Sequence, residues 1–533
     1  MPPKPASLPS SSKKRKTRDD DTVRTIQDLE KQLTAAVNSG SSLNPLADLL
    51  DIALEAETAA QASKAIYALY RVFVVIITRN LLSGPDASEE AKAVRTWLLD
   101  RLHAYVDLLA GLLKDEEPTL KISALDILFS LQKHLSSALT RTGDSKQPQF
   151  HGSHFRKIVS ALLLCPPSPR TSRSKKRKTD DDDDEREERT LDHDVRDHFV
   201  NTWFSVNDDI RWFFLRDGSH SILISKHSYT NAPQLPGNLL SILERLTTFP
   251  TKASELNSWW VQELGAKPPK PKRSTTDDDE DDDADADAAA ASADDEDDWR
   301  KFFDDPPAKP AEEKKGITAR VHTLTIHQSL HSLAAHKAVF TRAWLALLPQ
   351  LSRGSLEQTK AYSLRVLNVL HRGVIPHLTR PILIMDWVSS SVDHGGTVGL
   401  LALNALFTLM KEYNLDYPSF YTRLYGFLDR DVLHLKHRAR FFRLTELFLS
   451  STHLPATLVA SFVKRLSRLS LTAPPAAVVM LIPFTYNMLR RHPALMAMVH
   501  RDDELTGADC GESSLLLSIL SIPHLPERPT SEC

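Results

Sequence analysis

His327 and His331 stand four residues apart, a spacing that on a helix could present two imidazoles to a metal ion. No cysteine or carboxylate lies at a familiar ligand spacing from them, and among 21 histidines such pairs arise by chance, so no metal is assigned. Gly354 and Gly373 lack the G-x-x-x-x-G-K-[ST] setting that cradles phosphate, and neither G-x-S-x-G nor H-E-x-x-H occurs. Cys165, Cys510 and Cys533 are too widely spaced for a structural zinc site or a disulfide framework, which fits a reducing compartment such as the cytosol or nucleus. With no catalytic residue and no cofactor assigned, the expectation is a protein that is not an enzyme. The chemistry left to the chain is electrostatic.

That chemistry is concentrated near the C-terminal end. Between Phe420 and Arg501, twelve Lys and Arg stand against three Asp and Glu. Solvated faces usually mix both signs, so this surplus reads as a surface for an acidic partner. Lys436, Arg440 and Arg443 fall on one stripe of a helix expected from His434 to Ser450, opposite Phe441, Leu444 and Phe448. Arg438 projects toward the apolar side, where it needs a carboxylate, backbone carbonyls or a partner. From Thr457, Leu458, Phe462, Leu466 and Leu469 repeat every three or four residues, while Lys464, Arg465 and Arg468 line the other side. Pro474 to Arg491 is apolar almost all round from Val478 to Ile482, and is read as the buried central helix of the unit, kinked at Pro483. The seven cations named are the candidate partner-binding residues.

The same residues carry a resemblance. The phrases K-x-R-A-R-F-F from Lys436, SSTHLPA from Ser450 and TAPP from Thr472 resemble, in combination, the signature of the CCAAT-binding-factor domain family, in its branch of nucleolar ribosome-assembly factors. The match covers Tyr417 to Arg501 and weakens back to about Ile317. It implies a helical-repeat protein of the nucleolus, hence the nucleus. Such proteins pair with a processome protein like nucleolar protein 14, join pre-ribosomal particles, and support pre-rRNA processing and small-subunit maturation. The family's older name implies the alternative, direct binding of pre-rRNA or DNA by the basic surface. The ending departs from the family pattern: an acidic linker and a last helix are replaced by a short tail, apolar from Ser513 to Ile522.

The rest of the 533 residues must position that surface. Helical periodicity dominates and period-two alternation is scarce, so the class is all-α, a HEAT/armadillo-like helical repeat with charged linkers. Residues 1–21 are expected to be a disordered tail, 22–165 an N-terminal helical domain and 166–190 a charged linker. A second helical segment follows over 191–264, an acidic linker over 265–316, a C-terminal helical domain over 317–501 and an atypical tail over 502–533. Val72 to Ile77 is β-branched enough for a strand, but its neighbours favour a helix. The run from Ala65 to Leu82 is broken by Arg71 and Arg79, so no membrane span is expected. Trp203, Phe204, Trp212, Phe213 and Phe214 are read as core rather than as a stacking platform for RNA. Lys13, Lys14, Arg15 and Lys16 recur as Lys175, Lys176, Arg177 and Lys178, each tetrapeptide leading into aspartates, which marks both as nuclear-import signals. From Asp277 to Asp298 fourteen acidic and no basic residues follow one another, a composition that cannot bury a core.

Overall fold

The computed structural model describes residues 11–82, 89–143, 147–170, 189–227, 233–268, 325–417, 420–434, 438–451 and 453–498. All regular structure among them is helical. The chain divides into two units, residues 1–350 with 377–379, and residues 351–376 with 380–533. Lys175, Lys176, Arg177, Lys178, Lys436, the acidic run from Asp277 to Asp298 and residues 502–533 lie outside the described residues.

The first unit begins with α1 (Ser11–Ser39), α2 (Pro45–Glu55), α3 (Ala59–Thr78), α4 (Glu89–Leu112), α5 (Pro118–Thr142) and α6 (Gly152–Leu164). Helix α1 starts well before the domain edge expected at residue 22, because the segment from Ser11 holds no Gly or Pro and is rich in Lys and Arg, which favour helix. Lys13, Lys14, Arg15 and Lys16 therefore lie on helical backbone. Local chemistry sets other starts: Pro45 and Pro118 occupy first-turn positions, and Thr58 Oγ1 accepts the Gln61 N–H at 3.3 Å.

Helix α3 packs against α1, α2 and α5. It buries Ile66, Leu69, Val72, Phe73, Ile76 and Ile77. Each such side chain stabilises by roughly 1.5–3 kcal/mol, against about 1 kcal/mol for the whole range of strand preference; helix therefore wins over Val72–Ile77. By length and composition α3 could cross a bilayer. In the fold it is a core helix: Tyr105 donates its hydroxyl to the Ile66 carbonyl at 2.6 Å, and Arg71 pairs with Glu30 of α1.

The unit continues through α7 (His193–Phe199), a π-turn over Val200–Phe204, α8 (Asp208–His227) and α9 (Leu235–Leu243). Trp203, Phe204, Trp212, Phe213 and Phe214 are buried, and Trp203 stacks on Phe129 at 4.2 Å between ring centroids. Two carboxylates of α8 fasten the segment that follows. Asp208 accepts the Ser258 N–H at 3.1 Å and pairs with buried Arg211; Asp209 accepts the Trp260 and Val261 N–H groups at 3.1 and 2.9 Å. Burial pushes the Asp209 carboxyl up to about 6, against the lowering effect of those bonds.

The chain then supplies α10 (Ile326–Leu330) and α11 (Leu333–Leu351) to this unit. The division expected at 316/317 therefore falls at residue 350, and the segments expected as separate pieces over 22–165 and 191–264 are one body. The physical cause is direct: His327 and His331 both reach the Leu264 carbonyl, at 3.3 and 2.8 Å, and Phe340 packs on Phe249 at 4.6 Å.

The second unit comprises α12 (Leu356–Val369), a π-turn over Leu370–Val374, α13 (Met385–Asp393), α14 (Gly396–Tyr413), α15 (Phe420–Gly426), α16 (Arg438–Phe448), α17 (Ala456–Ser470) and α18 (Pro475–Arg491). Ser355 and Gln358 form a reciprocal capping box that starts α12. Helix α14 is the centre: it packs on α12, α13, α16 and the π-turn, and every residue from Val398 to Leu406 is buried. Gly395 and Gly396 turn the chain into it with φ of 65° and 52°.

Candidate docking surface

The central position expected for α18 belongs to α14 instead. Ala477, Leu481, Phe484 and Met488 of α18 are buried, while Val479, Ile482 and Tyr486 are 68%, 64% and 65% exposed. Their spacing of three and four residues aligns them along one outward stripe, which Arg490 continues. Apolarity all round does not distinguish a helix enclosed by its own chain from one that presents a second apolar face outward. The helix runs through Pro483, which has no N–H to give the Val479 carbonyl.

Helices α16 and α17 both pack on α18. Phe442 of α16 meets Phe484 at 5.7 Å, Glu446 accepts from Asn487 at 3.0 Å, and Arg491 lies 3.7 Å from the same carboxylate. That edge of α16 faces α18. On the neighbouring face Ala439, Arg443 and Leu447 are exposed, one turn apart. Next around the helix, Arg440 reaches His371 of the π-turn, Nη2 to Nε2 at 3.4 Å.

The structure sorts the candidate cations into three kinds. Arg438 donates to the Leu433 carbonyl at 3.5 Å, and Arg465 donates to the Leu428 carbonyl at 2.8 Å while lying over the Tyr425 ring. Both guanidiniums thus bond a carbonyl within the unit, Arg438 half-buried and Arg465 exposed. Arg443 and Arg468 are exposed and Lys464 is half-buried, and none of the three meets a carboxylate among the described residues. Arg440 is the third kind. Burial and the nearby Arg372 guanidinium hold its pKa below the usual arginine range, and burial followed by Arg440 and Arg372 lowers that of His371.

Sequence reasoning missed His371 and Arg372, because nothing in a 3.6-residue pattern announces the π-turn that brings them to Arg440. It also missed the outward stripe of α18, although the spacing of Val479, Ile482 and Tyr486 was legible. The histidine pair, by contrast, is accounted for. A carbonyl only accepts, so both Nε2 atoms at Leu264 carry hydrogen and are engaged there. Among the described residues no group of His, Cys, Asp and Glu is arranged to hold a metal ion.

Comparison with known proteins follows this division of the chain. The family described as CBF/Mak21 matches residues 399–515, and the family described as nucleolar complex protein 4-like, TPR repeats, matches residues 14–228. An uncharacterised protein of Schizosaccharomyces pombe is 32% identical over 491 residues, 90% of this chain and 80% of its own length. The nucleolar complex protein 4 homologues of Mus musculus and Homo sapiens are 51% and 50% identical over 169 residues, and those alignments cover 32% of this chain and 32% of each relative. The all-helical architecture, the repeat family matched by the N-terminal part and the domain matched by the C-terminal part agree, and the chain belongs to the CBF/Mak21 family, with the repeats of its nucleolar complex protein 4-like members.

Proposed function

We propose that this protein is a non-catalytic scaffold of ribosome biogenesis, working in the nucleolus as part of the small-subunit processome. In this reading it supports pre-rRNA processing and maturation of the small ribosomal subunit by docking a nucleolar partner, a protein like nucleolar protein 14, onto its second unit. The observation that carries the reading is the pairing, on α16 to α18, of cations that meet no carboxylate among the described residues with an exposed apolar stripe. Such a combination suits protein docking, and the names of the vertebrate relatives supply the nucleolar setting. The test is gradient sedimentation of the tagged full chain from its own cells. It is expected to travel with pre-ribosomal particles, and its depletion is expected to accumulate small-subunit precursors; a chain found only at the top of the gradient, with normal precursors, overturns the reading.

A second reading, direct binding of pre-rRNA, draws support from Arg443, Lys464 and Arg468 having no carboxylate neighbour among the described residues. Its mark is an affinity for RNA that falls steeply with salt.

A further inference from the structure

The strongest unassigned feature is continuous around α16. On one side lies the outward stripe of α18, Val479, Ile482 and Tyr486. Leu447, 46% exposed, and Arg443 occupy the exposed face of α16 beside it. On the far side half-buried Arg440 donates to Nε2 of the π-turn's His371, and the exposed guanidinium of Arg372 stands close enough to lower the pKa of both. No ion pair joins either arginine to a carboxylate among the described residues. Like charges brought near each other repel until a counter-charge arrives.

We propose that this surface binds an amphipathic helix of another protein, its apolar face on Ile482 and Tyr486 and its carboxylates on Arg440 and Arg372. The proposal rests on the scaffold reading and adds the residues and the chemistry of the partner. Charge complementarity selects an acidic occupant: the segment from Phe420 to Arg501 carries twelve cations and three anions. The exposed Val, Ile and Leu select a protein over RNA, since a phosphate backbone gains nothing from aliphatic groups. They also disfavour the chain's own acidic run from Asp277 to Asp298, whose only apolar residues are alanines. The apolar tail from Ser513 to Ile522 has no carboxylate for the arginines.

The test places a photo-crosslinking benzoylphenylalanine at Tyr486, and as a control at exposed Val94, in the tagged full chain expressed in its own cells. Adducts are mapped by mass spectrometry. The expected result is an adduct at position 486, absent at position 94, to a protein segment with apolar residues at helical spacing and Asp or Glu beside them. Arg372→Glu and, separately, Ile482→Asp should each lower its yield at least tenfold; both positions are exposed, and unchanged melting verifies that the variants fold. An adduct to RNA, to residues 277–298 or 513–522 of the chain itself or to a second copy, or a yield equal to the control, overturns the proposal. So does an adduct that both variants leave intact. Sedimentation of the same cells keeps the two readings apart. If the chain still travels with pre-ribosomal particles while the crosslink fails, the surface is wrong and the scaffold reading stands; if the unsubstituted chain does not travel with them, the scaffold reading itself fails.

Discussion

At the scale of single residues, several polar groups are held in charge states that the fold chooses. His154 is buried against the Leu128 carbonyl, with His151, Lys157 and His103 nearby; His336 is buried against the Leu330 carbonyl, with Arg211 and His331 nearby. Burial pushes both down to about 4. A histidine whose folded pKa is lowered contributes stability that is complete above its unfolded value of about 6.5 and is lost as pH falls through the folded value. Each therefore costs up to roughly 3 kcal/mol between about pH 6.5 and 4. Asp209, pushed up to about 6, acts in the opposite sense: its contribution is complete below about pH 4 and is lost as pH rises through 6. Two histidines outweigh one aspartate, so denaturant unfolding of the first unit should show a net fall in stability from pH 7 to pH 5. His154→Gln or His336→Gln should flatten that slope; a slope unchanged in both variants contradicts the assignment. Asp209→Asn removes an acceptor from the Trp260 and Val261 N–H groups and should cost about 1–3 kcal/mol at pH 7, read from the same curves.

Among the elements, the sequence was legible wherever periodicity reports burial on one side. Helix α17 buries Phe462 and Leu466 of its expected apolar stripe, and the aromatics around Trp203 and Trp212 are core as expected. It was not legible where two helices are both apolar all round. Helix α14 is enclosed by its neighbours and α18 is not, a difference that only tertiary packing decides. The π-turn over Leu370–Val374 is the other blind spot, since one extra residue per turn leaves no periodic trace. Glycine at 399 shows how closely α14 is surrounded. A Cβ built there would stand 2.4 Å from the Phe427 ring and 2.9 Å from the Val392 carbonyl oxygen. Gly399→Ala should destabilise the second unit by about 1–3 kcal/mol through overpacking, seen as a lowered melting transition. The same change at Gly373, where nothing lies within 4 Å of the added carbon, should lower it far less.

For the whole molecule, composition correctly announced large opposite-charge blocks but misplaced the seam between the two bodies. An acidic stretch between two helical regions invites the reading of a tether joining one domain to the next. Leu264 contradicts that reading, because its carbonyl is grasped by imidazoles from the far side of the stretch. The described flanks of the stretch, Leu264 and His327, thus meet within one unit. Excising residues 277–298 should shift the unfolding free energy by less than about 1 kcal/mol, because closure entropy varies only with the logarithm of contour length. A larger loss in calorimetry would mean that those carboxylates hold the body together. The junction of Leu264 with His331 thus brings together backbone 67 residues apart, and it belongs to the first unit alone.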